Sequence, residues 1–97
     1  MKKVFVCSPL RGKYKENIKN AKKYCREIAL KGKLPIAPHI YFTQFLKDTS
    51  VKERKLGIKM GIELLKICDE IKIFGEPTEG MKKEIKAWEK ITSTKTL

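Results

Sequence analysis

Val4-Phe5-Val6-Cys7 is an unbroken apolar run that stops at Ser8-Pro9-Leu10-Arg11-Gly12. Such a run suits a strand buried on both faces and followed by a loop. From about Glu16 to Lys31 the period lengthens: Ile18, Ala21, Tyr24, Cys25, Ile28 and Ala29 recur at helical spacing, and Gly32 supplies the stop. Leu34-Pro35-Ile36-Ala37 reads as a second short strand, its proline suited to a sheet edge. A polar and aromatic stretch follows, from Pro38 to Asp48. Asp48-Thr49-Ser50 then offers caps for a helix from about Val51 to Cys68, with Leu56, Met60, Leu64 and Cys68 on one apolar stripe. Glu70-Ile71-Lys72-Ile73-Phe74 alternates, as a strand with one wetter side does, and Gly75 to Gly80 is a loop. The last helix runs from about Glu79 to Lys90 and buries Met81, Ile85 and Trp88. The β-branched tail, Ile91 to Leu97, could form a short edge strand or fray.

The order β-α-β-α-β-α calls for an α/β fold, a parallel sheet with helices on both faces. Right-handed crossovers place the second strand on one side of the first and the third on the other, giving the order 2-1-3. The switch point then lies between strands one and three, and ligands bind where the carboxyl ends of those strands open. In this sequence those ends are the loops at 7–12 and 75–80. The 97 residues amount to one domain, 1–97, whose small core makes self-association natural.

Lys and Arg total 23 against 11 acids, a formal charge of +12. Nearly all the basic residues are Lys scattered along the chain; only Arg11, Arg26 and Arg54 are Arg, the residue that grips phosphates and base edges bidentately. The excess therefore reads as a solvated surface with a general pull on anionic ligands, and counts against nucleic acid as partner. No apolar run approaches the roughly 20 residues of a membrane span, and the start lacks a signal cleavage site. Cys7, Cys25 and Cys68 are an odd set without close pairing, as expected of reduced thiols in a cytoplasmic protein. With His39 as the only histidine, a metal site is not expected.

Both crevice loops have the chemistry of an anion pocket. Ser8-Pro9-Leu10-Arg11-Gly12 offers a hydroxyl, a guanidinium that can fork onto a phosphate, and accessible backbone N–H groups. Thr78-Glu79-Gly80 opens the last helix, where N–H groups and the dipole favour an anion. Four residues after Gly80, Glu84 borders the apolar stripe, and a carboxylate there can act as nucleophile or base on a sugar carbon. Asp69, opening the third strand, could hold a pocket group or simply end the helix. His39, Tyr41 and Phe42 could reach the crevice, for instance by stacking on a base. Gly57 and Gly61 leave a flat groove on one helix face, open to a ligand or to close packing.

Val4 to Gly12, Cys68-Asp69 and Pro77-Thr78-Glu79-Gly80-Met81-Lys82-Lys83-Glu84 resemble the nucleoside 2-deoxyribosyltransferase superfamily. Within it the chain is similar to the branch of 5′-monophosphate deoxynucleoside N-hydrolases and to small phage-encoded relatives, over roughly residues 3–88. The resemblance implies a Rossmann-like three-layer sandwich and a sugar carbon attacked at its N-glycosidic bond by Glu84, with Asp69 in support. It assigns Ser8, Pro9, Leu10, Arg11, Gly12, Thr78 and Gly80 to a 5′-phosphate. It implies no cofactor, and a homo-oligomer, dimer or larger, with pockets completed by a neighbour.

The chain departs from that pattern twice. The active enzymes carry an Asp on the second long helix, eight residues before the Asp that opens the third strand; here the position is Gly61. Glu63 is a poor substitute, since two residues turn a helix by roughly 200°. The sequence also lacks the family's apolar fourth strand, leaving sheet edges that could pair between subunits. Two readings follow: an enzyme that cleaves or transfers a nucleotide's N-glycosidic bond, or a catalytically silent protein that sequesters a nucleotide or cyclic nucleotide signal.

Overall fold

The structure, a computed structural model, describes residues 1–95. Strand β1 (Lys3–Cys7) leads to helix α1 (Tyr14–Leu30), strand β2 (Leu34–Ile36), a short helix α2 (Pro38–Phe42), helix α3 (Val51–Leu65), strand β3 (Glu70–Ile73) and helix α4 (Glu79–Lys95). The sheet is parallel in the order β2-β1-β3, with Phe5 opposite both Ile36 and Ile71. That is the expected 2-1-3 order, in a Rossmann-like α/β fold. No helix among the described residues is long and apolar enough to cross a membrane.

The unbroken apolar run of β1 is explained by its central place. Val4 and Val6 pack with Ile28 and, around it, Tyr24 and Cys25 of α1; Phe5 and Cys7 point to the other face, into Leu65, Cys68 and Met81. Helices therefore cover both faces, and all four strand side chains leave water. At the end of α1, Gly32 takes φ +82° while its N–H and that of Lys33 donate to Ala29 and Ile28, a Schellman closure. Ser50 is the N-cap of α3, its hydroxyl accepting from the Glu53 N–H at 3.3 Å. The Glu53 carboxylate reaches back to the Lys47 N–H at 3.0 Å, fixing the loop before the helix.

Three expectations are corrected. The stretch after β2 begins with a helical turn, α2, for which Pro38 at the first position is preorganised. The inward line of α3 runs through Gly61 and Leu65, with Leu64 packed beside it and Cys68 buried just past the helix end, whereas Leu56 of the expected stripe is 45% exposed. At Gly61 the backbone of α3 faces Pro38 and Glu84, whose atoms lie 3.7 Å from where a Cβ would stand, so this glycine lies on the inward line although it adds no apolar side chain to the sequence pattern. Finally, the tail is helical through Lys95, not a strand: Trp88 and Ile91 pack on the core, and the Thr92 hydroxyl donates back to the Trp88 carbonyl at 2.9 Å. Thr96 and Leu97, the end of that tail, lie outside the described residues.

Candidate functional site

The loops after β1 and β3 meet at the carboxyl end of the sheet. Gly75 turns with φ +73°, a conformation that favours glycine, and a Cβ there would stand 3.4 Å from Pro9 Cγ. Asn17 on α1 donates to the carbonyls of Leu10 and Arg11, both at 3.1 Å, and shapes the first loop from below. Beside these turns opens a cavity of about 420 Å3. It falls within the roughly 300–1,000 Å3 of small-molecule sites.

Ser8, Leu10, Arg11, Thr78, Gly80 and Glu84 all line this cavity. Pro9 and Gly12 do not: Pro9 braces Gly75, and Gly12 serves the turn with φ +94°. Asp69 stands elsewhere. Its carboxylate accepts from the Lys3 N–H at 2.8 Å and its own N–H donates to Lys3, at the amino end of the sheet. Four residues of strand, about 13 Å, separate that end from Cys7, which removes Asp69 from the candidate catalytic set.

Glu84 is the buried carboxyl of the cavity. Burial raises its carboxyl to about 7, although the Cys7 thiol donates to Oε1 at 3.5 Å and favours the charged form. Desolvation wins because a thiol is a weak donor. At neutral pH the group is thus divided between acid and carboxylate, able to give or take a proton or to attack as an anion. Its other oxygen, Oε2, faces Gly61. Glu63 pairs instead with Lys66 at 3.0 Å on the exposed side of α3. Cys7 is a core thiol whose burial, with Glu84 beside it, holds it protonated.

Ser8, only 6% exposed, shares a 2.8 Å hydrogen bond with His39 Nε2. Burial lowers His39 to about 4, so its imidazole is neutral at pH 7, and the tautomer decides whether Nε2 donates to the hydroxyl or accepts from it. Thr78 caps α4 by accepting from the Met81 N–H at 3.3 Å. Glu79 and Gly80, whose first-turn N–H groups have no intrahelical acceptor, line the cavity. Arg11 is engaged: its Nε lies 3.3 Å from Asp48 Oδ2, bridging the loops after β1 and α2 across the mouth. Phe42, Leu46 and Ile58 supply apolar wall, whereas Tyr41 is 62% exposed and lies outside. Among the described residues no cluster of His, Cys, Asp and Glu is suited to a metal ion.

His39, Asp48 and Arg54 were the residues hardest to read. His39 and Asp48 act through partners 31 and 37 positions away in the chain, and Arg54 lies among surface lysines in the sequence. Only the spacing of Arg54 to Gly57 and Gly61 on one helical face carries a signal.

Over residues 2–95 the sequence matches the family described as Domain of unknown function (DUF7768). No curated protein matches. Among solved structures, a 2-deoxyribosyltransferase from the psychrotolerant bacterium Bacillus psychrosaccharolyticus is similar, with a TM-score of 0.71 and 19% identity. The match covers 93% of this chain and 66% of that one, so this chain spans just under two thirds of its length, and the likeness is one of fold.

Proposed function

We infer that this chain, which belongs to the DUF7768 family, binds a phosphorylated nucleoside in the cavity and cleaves or transfers its N-glycosidic bond at Glu84. The observation that carries the reading is one buried carboxyl, raised to about 7, in the wall of a nucleoside-sized cavity at the switch point of the sheet. As the anion it attacks the sugar carbon, or takes the proton of an attacking water, while the C–N bond breaks and the base departs with that bond's electron pair and gains its proton from solvent. Gly80 stands one helical turn, about 6 Å along the axis, from Glu84. A 5′-phosphate at the α4 N-terminus, with Ser8 and Thr78 as hydroxyl partners, sets the sugar between the two.

Gly61 beside Glu84 Oε2 favours a second reading, capture without turnover, because no second carboxylate shares that contact. Incubation with deoxynucleoside 5′-monophosphates separates the two. Free base released by wild type and not by Glu84→Ala supports catalysis; intact nucleotide retained equally by both proteins supports capture. Failure of either protein to bind any nucleotide removes both. The open edges of β2 and β3 support self-association of the enzyme, which light scattering tests directly.

A further inference from the structure

Arg54, half-buried, lines the cavity, and its side chain makes no hydrogen bond or ion pair among the described residues. The nearest carboxylates in sequence are occupied, Glu53 by the Lys47 N–H and Asp48 by Arg11. Gly57, three residues on, lines the same cavity, and Gly61, seven on, abuts Glu84. Seven residues are about 10 Å along a helix. Helical side chains lean toward the N-terminus, which carries the guanidinium further from the reactive carboxyl. Arg54 therefore marks the far end of the cavity from Glu84, whereas the α4 N-terminus lies one turn from it.

Between these ends Phe42, Leu46 and Ile58 supply apolar wall, with Leu46 Cδ1 3.7 Å from where a Cβ on Gly57 would stand. A planar ring fits such walls. If the phosphate sits at α4 and the sugar at Glu84, the group left for Arg54 is the outer edge of the base. A guanidinium offers parallel N–H donors, so it selects an edge with two adjacent acceptors. O6 and N7 of a 6-oxopurine are such an edge; adenine puts an amino donor at position 6, and cytosine puts one at position 4.

Resting on the nucleotide reading above, we propose that Arg54 selects 6-oxopurine nucleotides by a forked hydrogen bond to O6 and N7. The test is calorimetric titration of deoxyguanosine, deoxyinosine, deoxyadenosine and deoxycytidine 5′-monophosphates. The proteins carry Glu84→Gln, whose amide mimics the neutral carboxyl and does not consume the ligand. The 6-oxopurine nucleotides should bind roughly 5- to 150-fold more tightly than deoxyadenosine monophosphate. Adding Arg54→Lys, which keeps the charge and loses the fork, should erase that preference while binding of all four nucleotides persists. Equal binding of all bases, a preference that survives Arg54→Lys, or an equal weakening of all four overturns the proposal; the last assigns Arg54 to a phosphate. In those cases the nucleotide site itself stands. Absence of binding by every nucleotide overturns both.

Discussion

Glu84 and His39 flank one cavity and are shifted by the same cause, burial, in opposite directions. The carboxyl goes from 4.5 to about 7, so in that window the folded chain holds a proton that the unfolded chain has released. Its contribution to stability falls as pH rises, by about 2 kcal/mol between pH 5 and 7. The imidazole goes from 6.5 to about 4, so the unfolded chain takes up a proton that the folded chain refuses. Its contribution rises over the same interval, again by about 2 kcal/mol. In the wild-type protein the two slopes nearly cancel. Glu84→Gln removes one and exposes the other: relative to wild type, its unfolding free energy should grow by about 2 kcal/mol from pH 5 to pH 7. His39→Gln should show the mirror image. Urea titrations followed by circular dichroism at pH 5, 6 and 7, at constant ionic strength, read this directly. Curves for wild type and Glu84→Gln that run parallel in pH would refute the buried-carboxyl argument, and with it the chemistry assigned to the cavity.

Three further substitutions probe the scaffold. Gly61→Ala places a methyl at ordinary contact distance, 3.7 Å from Glu84 Oε2 and Pro38 Cβ, so the helical gain of up to about 1 kcal/mol should appear as a higher Tm. Gly75→Ala combines φ +73° with a 3.4 Å approach to Pro9, and should lower stability by about 1–2 kcal/mol in urea titrations. Ser8→Ala strips His39 Nε2 of its 2.8 Å partner and should cost about 1 kcal/mol by the same measurement, with Ser8→Thr restoring part of it.

The sheet was legible because its rules are local or topological. Four consecutive apolar residues mark β1 as central, Pro35 marks β2 as an edge, and handedness orders the rest. The rotation of α3 was hidden because a glycine adds nothing to a hydrophobic pattern, yet Gly61 is buried against Pro38 and Glu84. The helical tail was hidden because the β-branched residues after Ile91 favour strand locally, and the packing of Trp88 and Ile91 overrides them. At the site, loop chemistry pointed to Ser8, Arg11, Thr78, Gly80 and Glu84, which converge on the cavity. Asp69 opens the third strand as read from the sequence; its supporting role came from the family resemblance alone, and its carboxylate instead accepts from the Lys3 N–H at the amino end of the sheet. Partnerships across the fold, Ser8 with His39 and Arg11 with Asp48, have no local signature at all.

The bridge from Arg11 to Asp48 joins two partly solvated side chains across the mouth, and such a pair is worth at most about 1 kcal/mol. It behaves as a swinging door, not a bolt: ordinary thermal agitation parts it, and an incoming dianion can take Asp48's place on the guanidinium. Arrival is helped by the +12 charge of the whole chain, which draws anions from a distance. Added salt should therefore slow capture of such a guest more than it hastens escape.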